Sequence, residues 1–171
     1  CTALAAVIIE DRTDALYLGY KYSSSPLFAD CPLDSAYIGG KITYNTSSKA
    51  GYSPFYNNVS LRTVVISDKE VAVYDNEFYN CSGLKSVVIG NGVKSIGNWS
   101  FSGCRNLEQF TFGISVESIG QEAFSDCISL TQIISSVDTP RTCGTQALED
   151  INKWNCTLKV PVGCASLYQV A

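Results

Sequence analysis

Phenylalanine recurs at a fixed step of 23 residues, at Phe55, Phe78, Phe101 and Phe124. Cysteine keeps the same step at Cys81, Cys104 and Cys127. A fixed period in two residue types is the mark of a structural repeat, and it constrains the fold more than any other feature of the chain. Between these markers one phrase returns. It reads Cys81-Ser-Gly-Leu84-Lys-Ser-Val87-Val-Ile89, then Cys104-Arg-Asn-Leu107-Glu-Gln-Phe110-Thr-Phe112, then Cys127-Ile-Ser-Leu130-Thr-Gln-Ile133-Ile-Ser135. An earlier copy opens on asparagine, Asn58-Val-Ser-Leu61-Arg-Thr-Val64-Val-Ile66. Cys1-Thr-Ala-Leu4-Ala-Ala-Val7-Ile-Ile9 fits in full, and Cys31-Pro-Leu33-Asp-Ser-Ala36-Tyr-Ile38 fits with one residue deleted. Unit lengths from Cys1 to Cys156 run 30, 27, 23, 23, 23 and 29.

Each phrase ends in an alternation rich in β-branched or aromatic residues, which is the pattern of a half-buried strand. Seven short parallel strands are expected, centred near residues 8, 37, 65, 88, 111, 134 and 159. After the strand, Val93-Lys-Ser-Ile96-Gly97 is matched by Val116-Glu-Ser-Ile119-Gly120, with the aromatic marker following. This reads as an irregular or 3₁₀ return, with Gly97 and Gly120 at positive φ or at a tight corner. No single unit can bury both its strand face and its return face, but stacked units cover one another.

These residues resemble a leucine-rich repeat, and within that class the BspA-like bacterial surface repeats. The carried motif is Cys/Asn-x-x-Leu-x-x-Val-x-Ile followed by Val-x-x-Ile-Gly-x-x-Ala/Ser-Phe, and Gly120-Gln-Glu-Ala123-Phe124-Ser-Asp-Cys127 is its cleanest copy. The resemblance implies one curved leucine-rich repeat solenoid over residues 1–171, with the parallel strands on the concave side. Irregular repeats are expected over 1–57, regular ones over 58–135 and a C-terminal cap over 136–171. Gln146–Ile151 and Ala165–Ala171 read as short helices of that cap. Because Cys1 falls in repeat register, the chain is expected to be a piece of a longer one; a lipid-bearing first cysteine is the rival reading.

The chain has 171 residues, of which 46% are apolar and 16% charged, as in a globular domain. It contains no histidine, which excludes Ser-His-Asp and Cys-His catalysis and nearly every common zinc site. A net charge of −4 argues against nucleic acid as partner. No apolar run is long enough to span a membrane. No phosphate loop, nucleophile elbow or dinucleotide fingerprint occurs, and Glu10-Asp11 and Glu149-Asp150 read as solvated loop acids. The chain is therefore expected to be no enzyme, with neither cofactor nor metal.

Two motifs invite a stronger reading than they support. The Cys81, Cys104, Cys127 column would stack at about the strand spacing of 5 Å. Three stacked thiols cannot all pair, and Asn58 fills the fourth place, so reduced, buried thiols that satisfy loop backbone are expected. Cys143 and Cys156 are left open to bridging, and so is the state of Cys164. Asn45, Asn58, Asn80, Asn98 and Asn155 open glycosylation sequons, but the bland reading as polar corner residues is preferred.

What remains is the surface. Alternation sends Thr63, Ser86, Gln109 and Gln132 outward in one column and Val65, Val88, Thr111 and Ile134 in the next. Arg62, Lys85, Glu108 and Thr131 stand where the strands begin. Ordinary sheet packing explains such columns as well as ligand contact does. Seven tyrosines, Tyr17, Tyr20, Tyr22, Tyr37, Tyr44, Tyr52 and Tyr56, crowd the two longest early units beside Ser23–Ser25 and Thr46–Ser48. Tyrosine with serine is a recognition composition, although padding of irregular turns accounts for it too. The candidate ligand-binding residues are thus the eight column residues together with Tyr44 and Tyr52. The resemblance implies an extracellular or cell-surface adhesion module binding a protein or glycan, such as a host matrix protein, anchored through parts outside this segment. A structural spacer and a carbohydrate-handling protein are the alternatives.

Overall fold

The computed structural model describes residues 2–18, 26–44, 53–139 and 142–168. Seven longer strands, β1 (Ala6–Ile9), β3 (Ser35–Ile38), β5 (Thr63–Ile66), β7 (Ser86–Ile89), β9 (Gln109–Phe112), β11 (Gln132–Ser135) and β13 (Thr157–Lys159), form one sheet in that order. Every neighbouring pair is parallel, and all seven expected centres fall within these strands. Ser86 pairs with Gln109 and Val88 with Thr111, as a 23-residue step requires. The molecule is a parallel-strand solenoid of leucine-rich-repeat type.

The strands form because one side of each is driven inward. Burial alternates strictly in β5, where Val64 and Ile66 are buried and Thr63 and Val65 exposed. Most parallel sheets are covered on both faces; here the described residues leave the second face open. Inside, the markers of the repeat become a spine. Phe28, Phe55, Phe78, Phe101 and Phe124 follow one another with ring centroids 5.2, 5.3, 5.3 and 5.5 Å apart. The leucines Leu33, Leu61, Leu84, Leu107 and Leu130 are buried beside them.

The return side differs from the irregular or 3₁₀ expectation. It carries a second parallel ladder of two-residue strands. β6 (Ala72–Val73), β8 (Ser95–Ile96), β10 (Ser118–Ile119) and β12 (Thr142–Cys143) pair in sequence, and β2 (Leu16–Tyr17) pairs with β4 (Ile42–Thr43). No 3₁₀ segment occurs among the described residues. Gly97 and Gly120 mark close approach rather than positive φ. A Cβ on Gly97 would lie 2.6 Å from the Asp75 nitrogen, and one on Gly120 2.6 Å from the Asn98 nitrogen. The left-handed corners lie elsewhere, at Asn57, Asn80, Gly103 and Asp126 and at Asn76, Trp99 and Glu122. These corners aim their N–H groups along the solenoid axis. The Asn80 N–H donates to the Ser102 carbonyl at 2.7 Å and the Trp99 N–H to the Gln121 carbonyl at 2.9 Å. Ladder bonds of this kind offset the backbone strain of a side chain at positive φ.

A helical C-terminal cap is not supported. Residues 145–150 form turns, and the only helix among the described residues is the single turn α1 (Ala165–Tyr168). The reason is register. Gly144 repeats the close approach of Gly120, with a Cβ position 2.5 Å from the Gln121 nitrogen, and the Phe124 N–H donates to the Ala147 carbonyl at 2.9 Å. The segment 142–150 is thus one more corner of the solenoid, with Leu148 where earlier units carry phenylalanine. No helix among the described residues is long and apolar enough to cross a membrane.

Candidate binding face

The sheet register brings the eight column residues together on one open face. Thr63, Ser86, Gln109 and Gln132 are paired in a row, as are Val65, Val88, Thr111 and Ile134. Thr63 and Gln109 are exposed, Val65 and Val88 are 39% and 42% exposed, and the other four are half-buried. Each row follows the strand spacing of roughly 4.8 Å.

The rows extend further than the candidate residues. Ile8 pairs with Tyr37 and Tyr37 with Val65, so both join the apolar row, and Ile8 is 72% exposed. Ala6 and Ser35 extend the polar row in the same way, and Thr157 and Lys159 close the two rows at the far end. The signal for these residues was available in the strand centres at 8 and 37. Tyr37 is held in place by its hydroxyl, which donates to Asp11 Oδ1 at 2.7 Å and has its pKa raised by that bond.

Charge cancels where the strands begin. Arg62 lies 3.7 Å from Asp34 and Lys85 lies 3.9 Å from Glu108, all four side chains exposed. Such pairs contribute little stability, but they leave the border of the face without a field of one sign. At its N-terminal end a cleft of about 570 Å³ opens beside Ile8, lined by Glu10, Asp11, Arg12, Asp14 and Leu16.

Of the described tyrosines Tyr37 lies on that face and Tyr44 does not. Tyr44 is half-buried on the return side, meets Tyr74 edge-on with centroids 6.4 Å apart, and donates its hydroxyl to the Asp75 carbonyl at 3.4 Å. Burial pushes its phenol pKa far upward. Tyr56 stacks on Tyr79 at 5.0 Å at a corner. Tyr20, Tyr22 and Tyr52, with Ser23–Ser25 and Thr46–Ser48, lie outside the described residues. Of the ten candidate residues, then, eight share a face, Tyr44 stands elsewhere, and Tyr52 has no described position.

The cysteine column is structural in geometry. Each thiol donates to the carbonyl of the preceding unit's phenylalanine: Cys81 to Phe55 at 3.1 Å, Cys104 to Phe78 at 3.3 Å and Cys127 to Phe101 at 3.3 Å. Asn58 performs the same task from its amide nitrogen, at 2.5 Å to the Phe28 carbonyl and 3.0 Å to that of Cys31. All three thiols are free and buried, and burial pushes those of Cys81 and Cys127 up to about 12, with Cys104 also well above the usual thiol range. Nucleophilic chemistry needs the thiolate, so these groups are inert at neutral pH. Cys156 and Cys164 are free thiols as well, so a bridge from Cys143 to Cys156 is not formed. Asn58 is buried and Asn98 accepts the Gln121 N–H at 2.8 Å, so these two sequon asparagines serve the fold.

Comparison with known proteins agrees with this architecture. The chain superposes on a leucine-rich repeat protein from Bacteroides ovatus ATCC 8483 with a TM-score of 0.64 at 23% identity, over 94% of this chain and 43% of that one. It therefore spans less than half the length of that protein. Weaker likenesses reach a leucine rich repeat protein of T. pallidum (TM-score 0.49, 22% identity, 61% of this chain and 56% of that one) and a leucine rich cell surface protein of Faecalibacterium prausnitzii (TM-score 0.35, 19% identity, 75% and 43%). Among curated proteins none matches. The sequence profile of the BspA type leucine rich repeat region matches residues 48–155 in six copies, and the chain belongs to that family.

Proposed function

We propose that this chain is a non-catalytic binding module of a cell-surface or secreted protein, and that its partner is a protein or a glycan met on the open sheet face. Neither cofactor nor metal enters this reading, and nucleic acid is no part of it. The observation that carries it is the face itself. Two rows of outward side chains run across seven strands, one mostly apolar and one mostly bearing hydroxyls and amides, with Thr63, Val65, Val88 and Gln109 exposed. A rigid stacked scaffold presenting such rows is suited to an extended partner. The reading extends from the family and the face, not from fold alone.

A spacer role is the second reading, favoured by one observation. Val65 and Val88 are adjacent in the sheet, and outward β-branched pairs of this kind stabilise a sheet without any ligand. An array of matrix proteins and neutral glycans probed with this chain separates the two. Capture that is lost on Val65→Lys plus Val88→Lys supports the binding face. A well-folded sample that captures nothing favours the spacer.

A further inference from the structure

One return breaks the interior rule of its neighbours. At the slot filled by buried Val93 and Val116 in the next two units, the β5–β7 unit carries Glu70, which is 2% exposed. At the slot of Ser100 and Ala123 it carries Glu77, also 2% exposed. The two carboxylates flank β6 and turn back onto it. Glu70 Oε1 accepts the N–H groups of Val71 and Ala72 at 2.7 and 3.3 Å, and Glu77 Oε2 accepts that of Tyr74 at 2.7 Å. Glu70 Oε2 is buried with no hydrogen-bond partner, and so is the hydroxyl of Ser100 one rung on.

Among the described residues the surroundings offer no positive charge. Tyr74 and Asp75 come from the same return, and Asp75 accepts the Asn98 N–H at 2.7 Å from the next. Tyr44 leans in from the preceding unit, and the Ser53 hydroxyl donates to the Glu77 carbonyl. Lys69 and Lys94 are exposed, and no ion pair among the described residues reaches either glutamate. Desolvation disfavours the charged form of a buried carboxylate that has no cation beside it, and a like charge adds to this.

We propose that Glu70 and Glu77 form a proton-binding site which holds one proton at neutral pH and locks the 67–79 return shut. Glu77 is the group that carries the proton. It accepts one backbone N–H where Glu70 accepts two, and burial, with the Glu70 charge adding to it, pushes its pKa up to about 8. Loss of that proton to solvent leaves the buried Glu77 side chain charged beside β6, and the return opens. Tyr44 and Tyr74, which rest on it, are released together.

The sign of the effect follows from linkage. The folded pKa lies above the ordinary value of 4.5, so the native state holds the proton more tightly than the unfolded chain. The stabilisation is complete below about 4.5, fades as pH rises, and is gone above about 8. Within that window one proton of difference makes the unfolding constant grow about tenfold per pH unit.

The test measures unfolding by denaturant across that window for the wild type and Glu77→Gln, whose amide mimics the protonated acid. A tenfold-per-unit rise in the wild type that Glu77→Gln lacks supports the site. Equal pH dependence in the two overturns it. If the variant fails to fold, the Glu77 carboxyl carbon is followed by NMR in the wild type: a midpoint near 8 supports the proposal, and one near the ordinary glutamate value overturns it. Calcium added at alkaline pH provides a further check. If it restores the wild type but not Glu77→Gln, the pair is a cation site and the proton lock is wrong. No effect of calcium agrees with a proton.

Discussion

The returns of the β5–β7 and β7–β9 units follow one path with different interiors. Both have a two-residue strand, and the Asn76 and Trp99 corners both donate to the next unit's backbone. Yet one interior slot holds glutamates and the other valine and serine. The path is therefore set by what the two share: the left-handed corners and the phenylalanine spine, since Tyr74 stands in the β5–β7 return where the next one has Gly97. A solenoid specified this way tolerates exchange at a slot more readily than loss of a marker, because every marker serves two neighbours at once.

The hardest way to break the comparison is to remove a marker. Phe101 stacks between Phe78 and Phe124 and meets Phe110 edge-on at 5.1 Å, with no exposure to solvent. Phe101→Ala is expected to cost roughly 3–5 kcal/mol by denaturant unfolding, a cavity penalty shared by two units. A loss under about 1 kcal/mol would show that slots and markers are equally dispensable.

A gentler change sharpens it by exchanging the two residues of the cysteine column. Asn58 both donates to two carbonyls and accepts the N–H groups of Ser60 and Leu61, at 3.1 and 2.9 Å. The thiols of Cys81, Cys104 and Cys127 each donate to one carbonyl, where Asn58 donates to two. Asn58→Cys is therefore expected to lose about 1–3 kcal/mol, since buried N–H groups lose their acceptor. Cys81, Cys104 and Cys127 should resist alkylation in the folded protein and react once it is unfolded. Fast labelling of the native chain contradicts the burial on which the column rests.

How much of this was legible in the sequence follows the same division. Strand positions, inward register and the cysteine column could be read because they recur at 23 residues. The return ladder could not, since a two-residue strand leaves no periodicity to detect and its pairing is decided by the neighbouring unit. The corners were misplaced for a related reason. Glycine suggested positive φ or a tight corner at 97 and 120; those sites need the absence of a Cβ, and it is Trp99 and Glu122 that take the left-handed conformation. Segment 146–151 looked helical because its phenylalanine was replaced, although Gly144 and Ala147 kept their places. On the binding face the columns were legible through alternation. Tyr44 was not, because composition cannot say which side of a solenoid an aromatic ring will take.

The smallest expected effect on stability concerns that face. Gln109 is exposed and Gln132 half-buried, adjacent in the polar row, and both point away from the core. Replacing both with serine removes two amides and leaves the hydroxyl character of the row. Surface changes of this kind typically alter stability by less than about 0.5 kcal/mol each. If the face binds the partner, this double variant should bind more weakly while unfolding at nearly the wild-type temperature. Arg62–Asp34 and Lys85–Glu108 cancel one another along the border. Affinity should therefore vary little with salt, unlike that of a charge-steered complex. Normal binding by the double variant, together with loss of binding on substituting the exposed return-side Val71, would place the contact on the opposite side of the solenoid.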